Sequence, residues 1–296
     1  MTWLIAGFGD LGREIACTMH ADRALADESV LALRRHIPTP ETAATKINSP
    51  NLRWVKADLL DLDSLFQLPT GITHVVFCAT PDKRDEASYQ ATYVQGLKNL
   101  LRALTHTGNA QARVLFVSST AVYGAEQAGW LDESSATEPS GFNGRVLLEA
   151  ERELSNRWPD HLILRLSGIY GPNRVFLLKQ LLAGATSVPA SDAFWANRIH
   201  VADAASAVIH LLKRKALTGI YIGTDSTPVP LKTLYRELAA ALGAQPPREG
   251  PPSLMMGKKR LSNQKLCTSG FAFRWPDSRQ GYAAIVAKEN WQNWEG

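Results

Sequence analysis

The chain has 296 residues, of which 45% are hydrophobic and 20% are charged, and its net charge is +4. This composition excludes disordered, fibrous and membrane-embedded proteins and predicts a globular protein with a substantial core. No apolar run approaches the roughly 20 residues that cross a bilayer, and no charged segment precedes an apolar one at the start of the chain. We therefore expect a cytoplasmic protein that has no membrane partner.

The cysteines and the basic runs indicate neither a metal site nor a nucleic-acid surface. Cys17, Cys78 and Cys267 are far apart and show no CxxC spacing, so we expect no disulfide framework and no bound metal. The densest basic runs, 213–215 and 258–260, lack the interleaved aromatic residues of nucleic-acid surfaces. The mild basic excess instead favours anionic small molecules such as phosphates.

Short apolar runs alternate with helix-length segments through the first half of the chain. One such segment, 85–107, carries Tyr93, Leu97 and Leu104 at helical spacing. This alternation predicts βαβ units, and hence a parallel sheet covered by helices on both faces, which is a doubly wound α/β fold. The predicted strands are 2–6, 29–33, 52–57, 74–79, 113–119 and 161–166.

Beyond residue 165 the alternation loosens, and prolines mark loops between shorter elements. Helices are predicted at 201–212 and 231–242, and one further strand at about 219–223. We therefore divide the chain into a domain of residues 1–165, which carries the sheet, and a smaller C-terminal lobe of residues 166–296. Folds of this class bind ligands at the carboxyl edge of the sheet, so we expect the lobe to bind the substrate there.

A glycine-rich turn follows the first predicted strand and opens the first helix. It reads Gly7-Phe8-Gly9-Asp10-Leu11-Gly12, which fits GxGxxG in the strand–turn–helix context that this motif requires. Gly7 permits the tight turn, Gly9 lets the backbone approach a pyrophosphate, and Gly12 lets helix and strand pack closely. Together with the free N–H groups of the helix N-terminus, these residues predict a Rossmann-type dinucleotide-binding domain.

The residues after the second predicted strand discriminate between the two nicotinamide cofactors. NAD-binding folds place a carboxylate there to bond the ribose 2′-hydroxyl, whereas the 2′-phosphate of NADP needs arginine. This chain has Arg34, Arg35 and His36 at that point and no carboxylate. We therefore predict NADP as the cofactor, with NAD as the second choice; two solvent-exposed loop arginines are the alternative interpretation.

Three further segments resemble the short-chain dehydrogenase/reductase superfamily, in its extended branch of NAD(P)-dependent epimerases, dehydratases and reductases. Residues 118–124 read SSTAVYG and resemble SSxxVYG, residues 164–172 read LRLSGIYGP and resemble LRxxxIYGP, and residues 197–203 read NRIHVAD and are similar to RIHVDD. The resemblance covers nearly the whole chain and implies a small-molecule substrate. Members often dimerise through two helices from each subunit, here 85–107 and 142–158, so a homodimer stays open.

The resemblance implies roles for single positions. Asp58, just after the third predicted strand, matches the acidic residue that meets the adenine ring. Ala79 and Thr80 match the backbone beside the nicotinamide ribose. Ser119 matches the hydroxyl that polarises the substrate's carbonyl or alcohol, although without the resemblance it would be an ordinary strand-end serine.

The helix after the fifth predicted strand departs from the family pattern. Members carry YxxxK there: the tyrosine is the acid/base, and the lysine lowers the tyrosine pKa and bonds the nicotinamide ribose. Aligning the family's trailing Ala-Glu on Ala150 and Glu151 puts Asn143 at the tyrosine position and Leu147 at the lysine position. Asn143 has no proton to release near neutral pH, and Leu147 carries no charge. The usual catalytic pair is therefore predicted to be absent.

Two functions stay open at this point. The first is an atypical NADP-dependent enzyme that reduces, epimerises or dehydrates a small, sugar-like or phosphorylated substrate. Its substitute proton donor would be Tyr123, His200 or a residue of the loop 80–83, although packing or helix capping suits each of them better. The second is a non-catalytic dinucleotide-binding sensor or partner protein. The retained Ser119 favours the enzyme, which we prefer, and the missing pair favours the sensor.

Overall fold

The computed structural model describes residues 1–37, 51–251, 257–288 and 291–293. The chain forms two compact units. The first consists of the described part of 1–122, of 141–165 and of 205–220, and the second consists of 123–140, 166–204 and the described part of 221–296. This division differs from the predicted one in two segments, because 123–140 belongs to the second unit and 205–220 to the first.

The elements follow one another along the chain as predicted, with short additional strands after residue 165. The strands are β1 (Thr2–Ala6), β2 (Ser29–Arg34), β3 (Leu52–Lys56), β4 (His74–Phe77), β5 (Arg113–Ser119), β6 (Gly129–Leu131), β7 (His161–Leu166), β8 (Gly168–Tyr170), β9 (Ser187–Val188), β10 (Trp195–Ala196), β11 (Arg198–His200), β12 (Gly219–Gly223), β13 (Val229–Pro230), β14 (Arg248–Glu249) and β15 (Lys259–Leu261). The α-helices are α1 (Asp10–Ala21), α2 (Leu62–Leu65), α3 (Glu86–Tyr89), α4 (Gly96–His106), α5 (Phe142–Arg157), α6 (Phe176–Leu182), α7 (Val201–Lys213), α8 (Leu231–Ala241), α9 (Gln264–Thr268) and α10 (Ser278–Val286). A π-helical segment, Gln90–Gln95, joins α3 to α4, and 3₁₀ turns lie at Thr120–Val122 and Trp291–Asn293.

A parallel sheet of seven strands confirms the predicted doubly wound, Rossmann-type α/β fold. Its strand order is β12-β7-β5-β4-β1-β2-β3. The chain therefore runs outward from β1 through β2 to β3, and then crosses back to β4 and continues in the other direction. The crevice outside the carboxyl ends of β1 and β4, where this reversal occurs, is the place where open α/β sheets bind ligands.

Burial explains why the central strands are continuous apolar runs. Trp3, Leu4 and Ile5 of β1 are fully buried, as is Phe77 of β4. A strand covered by helices on both faces has no polar side to alternate with, which is why these runs predicted a parallel sheet. At the sheet edge, β3 is largely exposed, and Trp54 is 36% accessible.

The strand predicted at about 219–223 forms as β12, but it lies at the end of the large sheet. A long-range contact explains why the preceding helix also belongs to the first unit. The buried guanidinium of Arg113 in β5 donates hydrogen bonds to the carbonyls of Leu212, Arg214 and Leu217, and so it satisfies backbone acceptors at and beyond the end of α7. These hydrogen bonds therefore attach residues 205–220 to the sheet.

The second unit has a core of its own. Its short strands pair as β6 with β15, β8 with β11 and β9 with β14 in parallel, and as β10 with β13 in antiparallel. Tyr170 lies at the centre, where its ring stacks on Tyr282 with 4.2 Å between ring centroids. Apolar residues of α6 and α8, among them Leu178 and Leu234, complete this core. Among the helices that the structure describes, none is both long and apolar enough to cross a bilayer.

A buried ionic cluster joins α5 to the sheet. Glu151 of α5 is 3% exposed, and its Oε2 accepts a hydrogen bond from Nη2 of Arg165 in β7 at 2.6 Å. The Oγ of Ser118 in β5 donates to Oε1 of the same carboxylate at 2.6 Å. Arg165 is itself 3% exposed, so the two charges neutralise each other inside the protein. Ser118 and Arg165 belong to the SSxxVYG-like and LRxxxIYGP-like segments, which therefore contribute to the scaffold.

We predict that Glu151→Ala lowers the free energy of unfolding by about 3–5 kcal/mol, because it leaves the buried Arg165 guanidinium without its counterion. Chemical denaturation monitored by circular dichroism measures the loss. Glu149→Ala removes an exposed carboxylate from the same helix and should cost no more than about 1 kcal/mol. Equal losses in the two variants would contradict the role given to the cluster.

Candidate functional site

A cavity of about 360 Å³ lies within the first unit, at the carboxyl ends of the central strands. It is lined by the turn 7–9 after β1, by 33–36 at the end of β2, by 57–60 after β3 and by 78–80 after β4. Ligand pockets in proteins commonly start at about 300 Å³. The cavity therefore occupies the crevice where the strand order reverses.

Eight of the residues predicted to bind a cofactor meet at this cavity. They are Gly7, Phe8, Gly9, Arg34, Arg35, Asp58, Ala79 and Thr80. The other members of the glycine motif lie behind it at the start of α1: Asp10 forms an ion pair with Arg13 at 3.0 Å, and Leu11 is buried. The cavity lining does not include Ser119, Tyr123, Asn143 or Leu147.

The three glycines of the turn have different surroundings. Gly7 has φ +102°, and a Cβ there would overlap the backbone of Ala79. At Gly12 a Cβ would come within 2.6 Å of the carbonyl oxygen of Gly7. At Gly9, by contrast, no atom lies within 4 Å of the Cβ position. Gly7 and Gly12 are therefore required by packing, whereas Gly9 keeps the space in front of the N-terminus of α1 open.

Hydrogen bonds hold the loops around the turn. The thiol of Cys78 donates to the carbonyl of Gly7 at 3.1 Å, and burial raises the pKa of this thiol to about 12. Asp58 accepts from the N–H of Leu60 through its Oδ1 at 2.9 Å, which shapes the loop after β3. For Cys78 the sequence predicted only that it takes no part in a disulfide framework or a metal site. Its bond to Gly7 joins residues 71 positions apart, a distance that local patterns do not reveal.

The two arginines at the end of β2 differ in their partners. Arg35 donates from Nη2 to Oδ1 of Asp82 at 2.6 Å. This hydrogen bond raises the pKa of Arg35 and lowers that of Asp82. Arg34 is exposed at the cavity, and within the part of the chain that the structure describes no carboxylate forms an ion pair with it. Among the described residues, the positive charge of Arg34 is thus not compensated by an ion pair.

The candidate proton donors differ in the hydrogen bonds that they already form. Tyr123 is 1% exposed and donates its hydroxyl to the carbonyl of Asp132 at 2.8 Å, which suits a packing role. His200 accepts the N–H of Ala202 on Nδ1 at 3.1 Å at the start of α7, and burial lowers its pKa to about 4. This is the capping arrangement weighed against catalysis for His200. The hydroxyl oxygen of Ser119 accepts a hydrogen bond from the N–H of Ala121, and among the described residues no acceptor takes its proton.

The positions of the usual catalytic pair lie on α5. Asn143 is in the first turn of this helix, and Leu147, one turn later, is 4% exposed. Glu151 follows four residues after that and points at Arg165 and Ser118 in the strands. Leu147, four residues before Glu151, shares the helix face that meets the strands, whereas Asn143, eight residues before Glu151, is only partly buried. No group of three His, Cys, Asp or Glu side chains that could hold a metal occurs among the described residues.

Comparison with known proteins identifies relatives of the whole chain. The sequence model of the NAD dependent epimerase/dehydratase family matches residues 4–222. A solved structure from Methylobacillus flagellatus, described as a candidate NAD-dependent epimerase/dehydratase, is 35% identical, with 97% of each chain covered and a TM-score of 0.75. No curated protein is similar enough to the chain to match it.

More distant solved structures share the fold. A dTDP-glucose 4,6-dehydratase from Streptomyces venezuelae, solved with NAD and TYD bound, is 22% identical over 100% of this chain and 99% of its own, with a TM-score of 0.82. A UDP-glucuronic acid 4-epimerase from Bacillus cereus in complex with NAD is 18% identical over 96% of this chain and 97% of its own, with a TM-score of 0.77.

The family match spans well over half of the chain, and the 35% identical relative extends over nearly all of it. The resemblance stated from the sequence motifs is thereby confirmed. The chain belongs to the NAD dependent epimerase/dehydratase family.

Proposed function

We propose that this protein is an atypical NADP-dependent member of its family, which acts on a small, sugar-like or phosphorylated substrate without the usual tyrosine–lysine pair. The observation that carries the choice of cofactor is the exposed charge of Arg34 at the cavity, which forms no ion pair with a described carboxylate. NAD remains the second choice of cofactor.

The cavity suits the pyrophosphate and the adenosine end of a dinucleotide. Gly9 leaves space in front of the N-terminus of α1, where backbone N–H groups and the helix dipole favour a negatively charged group. We assign Asp58, which lines the cavity, to the adenine ring. Ala79 and Thr80 line the wall that we assign to the nicotinamide ribose. When bound, the nicotinamide group would supply hydride transfer to or from the substrate.

The substrate class is proposed from the relatives and from charge. The distant relatives are named for nucleotide-sugar reactions, a 4,6-dehydratase and a 4-epimerase. A net charge of +4 also favours anionic ligands. Ser119 is the side chain that we propose to polarise the reacting carbonyl or alcohol, because its hydroxyl proton is available.

A second candidate function rests on Leu147. An apolar side chain that is 4% exposed stands where the family's lysine would bond the nicotinamide ribose and lower a tyrosine pKa. A non-catalytic dinucleotide-binding sensor or partner subunit, which kept the cofactor cavity and lost the catalytic residues, would show this substitution.

A homodimer built on α4 and α5 is a further proposal.

We predict that Gly9→Val abolishes NADPH binding and leaves a folded protein. The free space at the Cβ position accommodates the side chain in the absence of cofactor, but the same side chain fills the path of the pyrophosphate. Gly9→Ala should weaken binding less. Circular dichroism checks the fold, and quenching of tryptophan fluorescence measures binding. Normal affinity in Gly9→Val would show that the phosphate site is elsewhere.

We predict that Arg34→Ala weakens NADPH binding about tenfold or more and leaves NADH binding unchanged. A hydrogen bond to a charged group contributes about 1.5 to 3 kcal/mol, and only NADPH carries the 2′-phosphate that makes this bond. Arg102→Ala, which removes an exposed arginine of α4 outside the cavity, is the control. The assignment of NADP fails if wild-type protein binds both cofactors equally, or if both lose affinity equally in Arg34→Ala.

We predict that the double variant Asn143→Tyr with Leu147→Lys binds NADPH several-fold more tightly and gains at most weak turnover. The new ammonium can bond the ribose hydroxyls, whereas a catalytic tyrosine must also lie about 3 Å from the reacting oxygen. Asn143→Phe with Leu147→Met is the control, because it adds similar bulk without a hydroxyl or a charge. Affinity and turnover are measured with NADPH and a panel of nucleotide sugars.

Turnover of any panel substrate by the wild-type protein would support the enzyme, and its loss in Ser119→Ala would support the role of that serine. A wild-type protein that binds NADPH tightly and turns over no substrate would favour the sensor. If the double variant is folded and its affinity for NADPH falls or stays unchanged, then α5 does not face the cofactor as aligned.

A further inference from the structure

An ion pair crosses the rim of the cavity next to the proposed 2′-phosphate site. Nη2 of Arg35, after β2, lies 2.6 Å from Oδ1 of Asp82, after β4, although the two residues are 47 positions apart in the sequence. Both side chains line the cavity. One of the two arginines predicted to meet a 2′-phosphate therefore already has an anionic partner.

The geometry points to Asp82 as a specificity-determining residue: its carboxylate holds Arg35 and so limits the preference of the cavity for NADPH over NADH. This inference rests on the proposed function, namely that the cavity takes the adenosine end of a nicotinamide dinucleotide. Arg34 then remains the arginine that meets the 2′-phosphate.

The chemistry of the pair sets the direction of this effect. A phosphate and a carboxylate compete for the same guanidinium donors, since both accept charge-assisted hydrogen bonds from arginine. The hydrogen bond from Arg35 lowers the pKa of Asp82, so this carboxylate is ionised at neutral pH. Arg35 can therefore bond a 2′-phosphate, in addition to Arg34, only when that phosphate displaces the carboxylate of Asp82. The free 2′-hydroxyl of NADH carries no charge and does not compete for Arg35.

The exposure of the pair sets the size of this effect. The side chains of Arg35 and Asp82 are 49% and 65% accessible, so water and salt screen their attraction. Such a pair can be exchanged for a phosphate and does not block the cavity. Asp82 should therefore shift the relative affinity for the two cofactors by a modest factor, and added salt should reduce the shift.

The experiment compares wild-type protein with Asp82→Asn, which removes the charge and keeps the shape. Dissociation constants for NADPH and NADH are measured by tryptophan fluorescence at low salt. NADPH should bind about fivefold more tightly to the variant, as the release of one exposed ion pair allows, and NADH should bind within about twofold of wild type. Asp27→Asn, which removes an exposed carboxylate that does not line the cavity, should change neither constant.

A second pair of variants tests whether Asp82 acts through Arg35. In the background Arg35→Ala, the further change Asp82→Asn should no longer tighten NADPH, because the arginine that it releases is missing. A gain that persists in this background would overturn the inference, and so would an unchanged NADPH affinity in Asp82→Asn itself. Circular dichroism of all variants confirms that these exposed substitutions leave the fold intact.

The proposed function and this inference fail in different ways. If Arg34→Ala weakens the binding of NADPH while Asp82→Asn leaves both dissociation constants unchanged, the NADP site is supported and only the role of Asp82 is wrong. If wild-type protein shows no preference for NADPH but Asp82→Asn creates one through Arg35, the role of Asp82 stands and the proposed natural cofactor is wrong. If neither the wild-type protein nor any variant binds either dinucleotide, both the proposed function and the role of Asp82 are wrong.

Discussion

The close approach of the turn at Gly7 to the backbone after β4 is the constraint on which the candidate site depends. Gly7 adopts a positive φ, which a residue without Cβ does at little cost, and any side chain there would overlap Ala79. This contact, together with the bond from the Cys78 thiol to the Gly7 carbonyl, joins the ends of the two central strands. The N-terminus of α1 is directed toward the cavity as a consequence, and Gly9 leaves the space before it open.

The side chains of α5 differ in whether the stability of the fold depends on them. Glu151 neutralises the buried Arg165 and binds Ser118, so its loss would leave a charge uncompensated inside the protein. Leu147 and Asn143, about one and two turns earlier on this helix, carry no charge, so replacing them leaves no buried charge uncompensated. The fold therefore depends on Glu151, whereas it forms here without a tyrosine at 143 or a lysine at 147.

Local patterns predicted most of the first unit. Continuous apolar runs mark strands that are covered on both faces, and β1, β5 and β7 have the predicted bounds. The glycine turn was predictable because Gly7 and Gly12 answer steric demands of the turn itself and of the neighbouring strand end, and Gly9 completes the motif. The ends of β3 and β4 were predicted one and two residues too late, since the apolar pattern continues past the last residue of each strand.

Contacts between distant parts of the sequence were not predictable in the same way. The pairing of Arg35 with Asp82 joins two loops, and a sequence pattern at either loop shows only an exposed charge. The attachment of residues 205–220 to the first unit depends on Arg113, about a hundred positions earlier, which meets the carbonyls beyond α7. Both features follow from the order of strands in the sheet, which periodicity alone does not specify.

We propose that the cavity binds a nicotinamide dinucleotide without the tyrosine–lysine pair that normally serves this cofactor. A crystal structure of the protein with NADPH bound would decide the matter. We expect the 2′-phosphate within about 3 Å of the Arg34 guanidinium and the nicotinamide ribose against Leu147, with no lysine ammonium bonded to it. A 2′-phosphate in open solvent, or a lysine and a tyrosine from another part of the chain at the nicotinamide ribose, would contradict it.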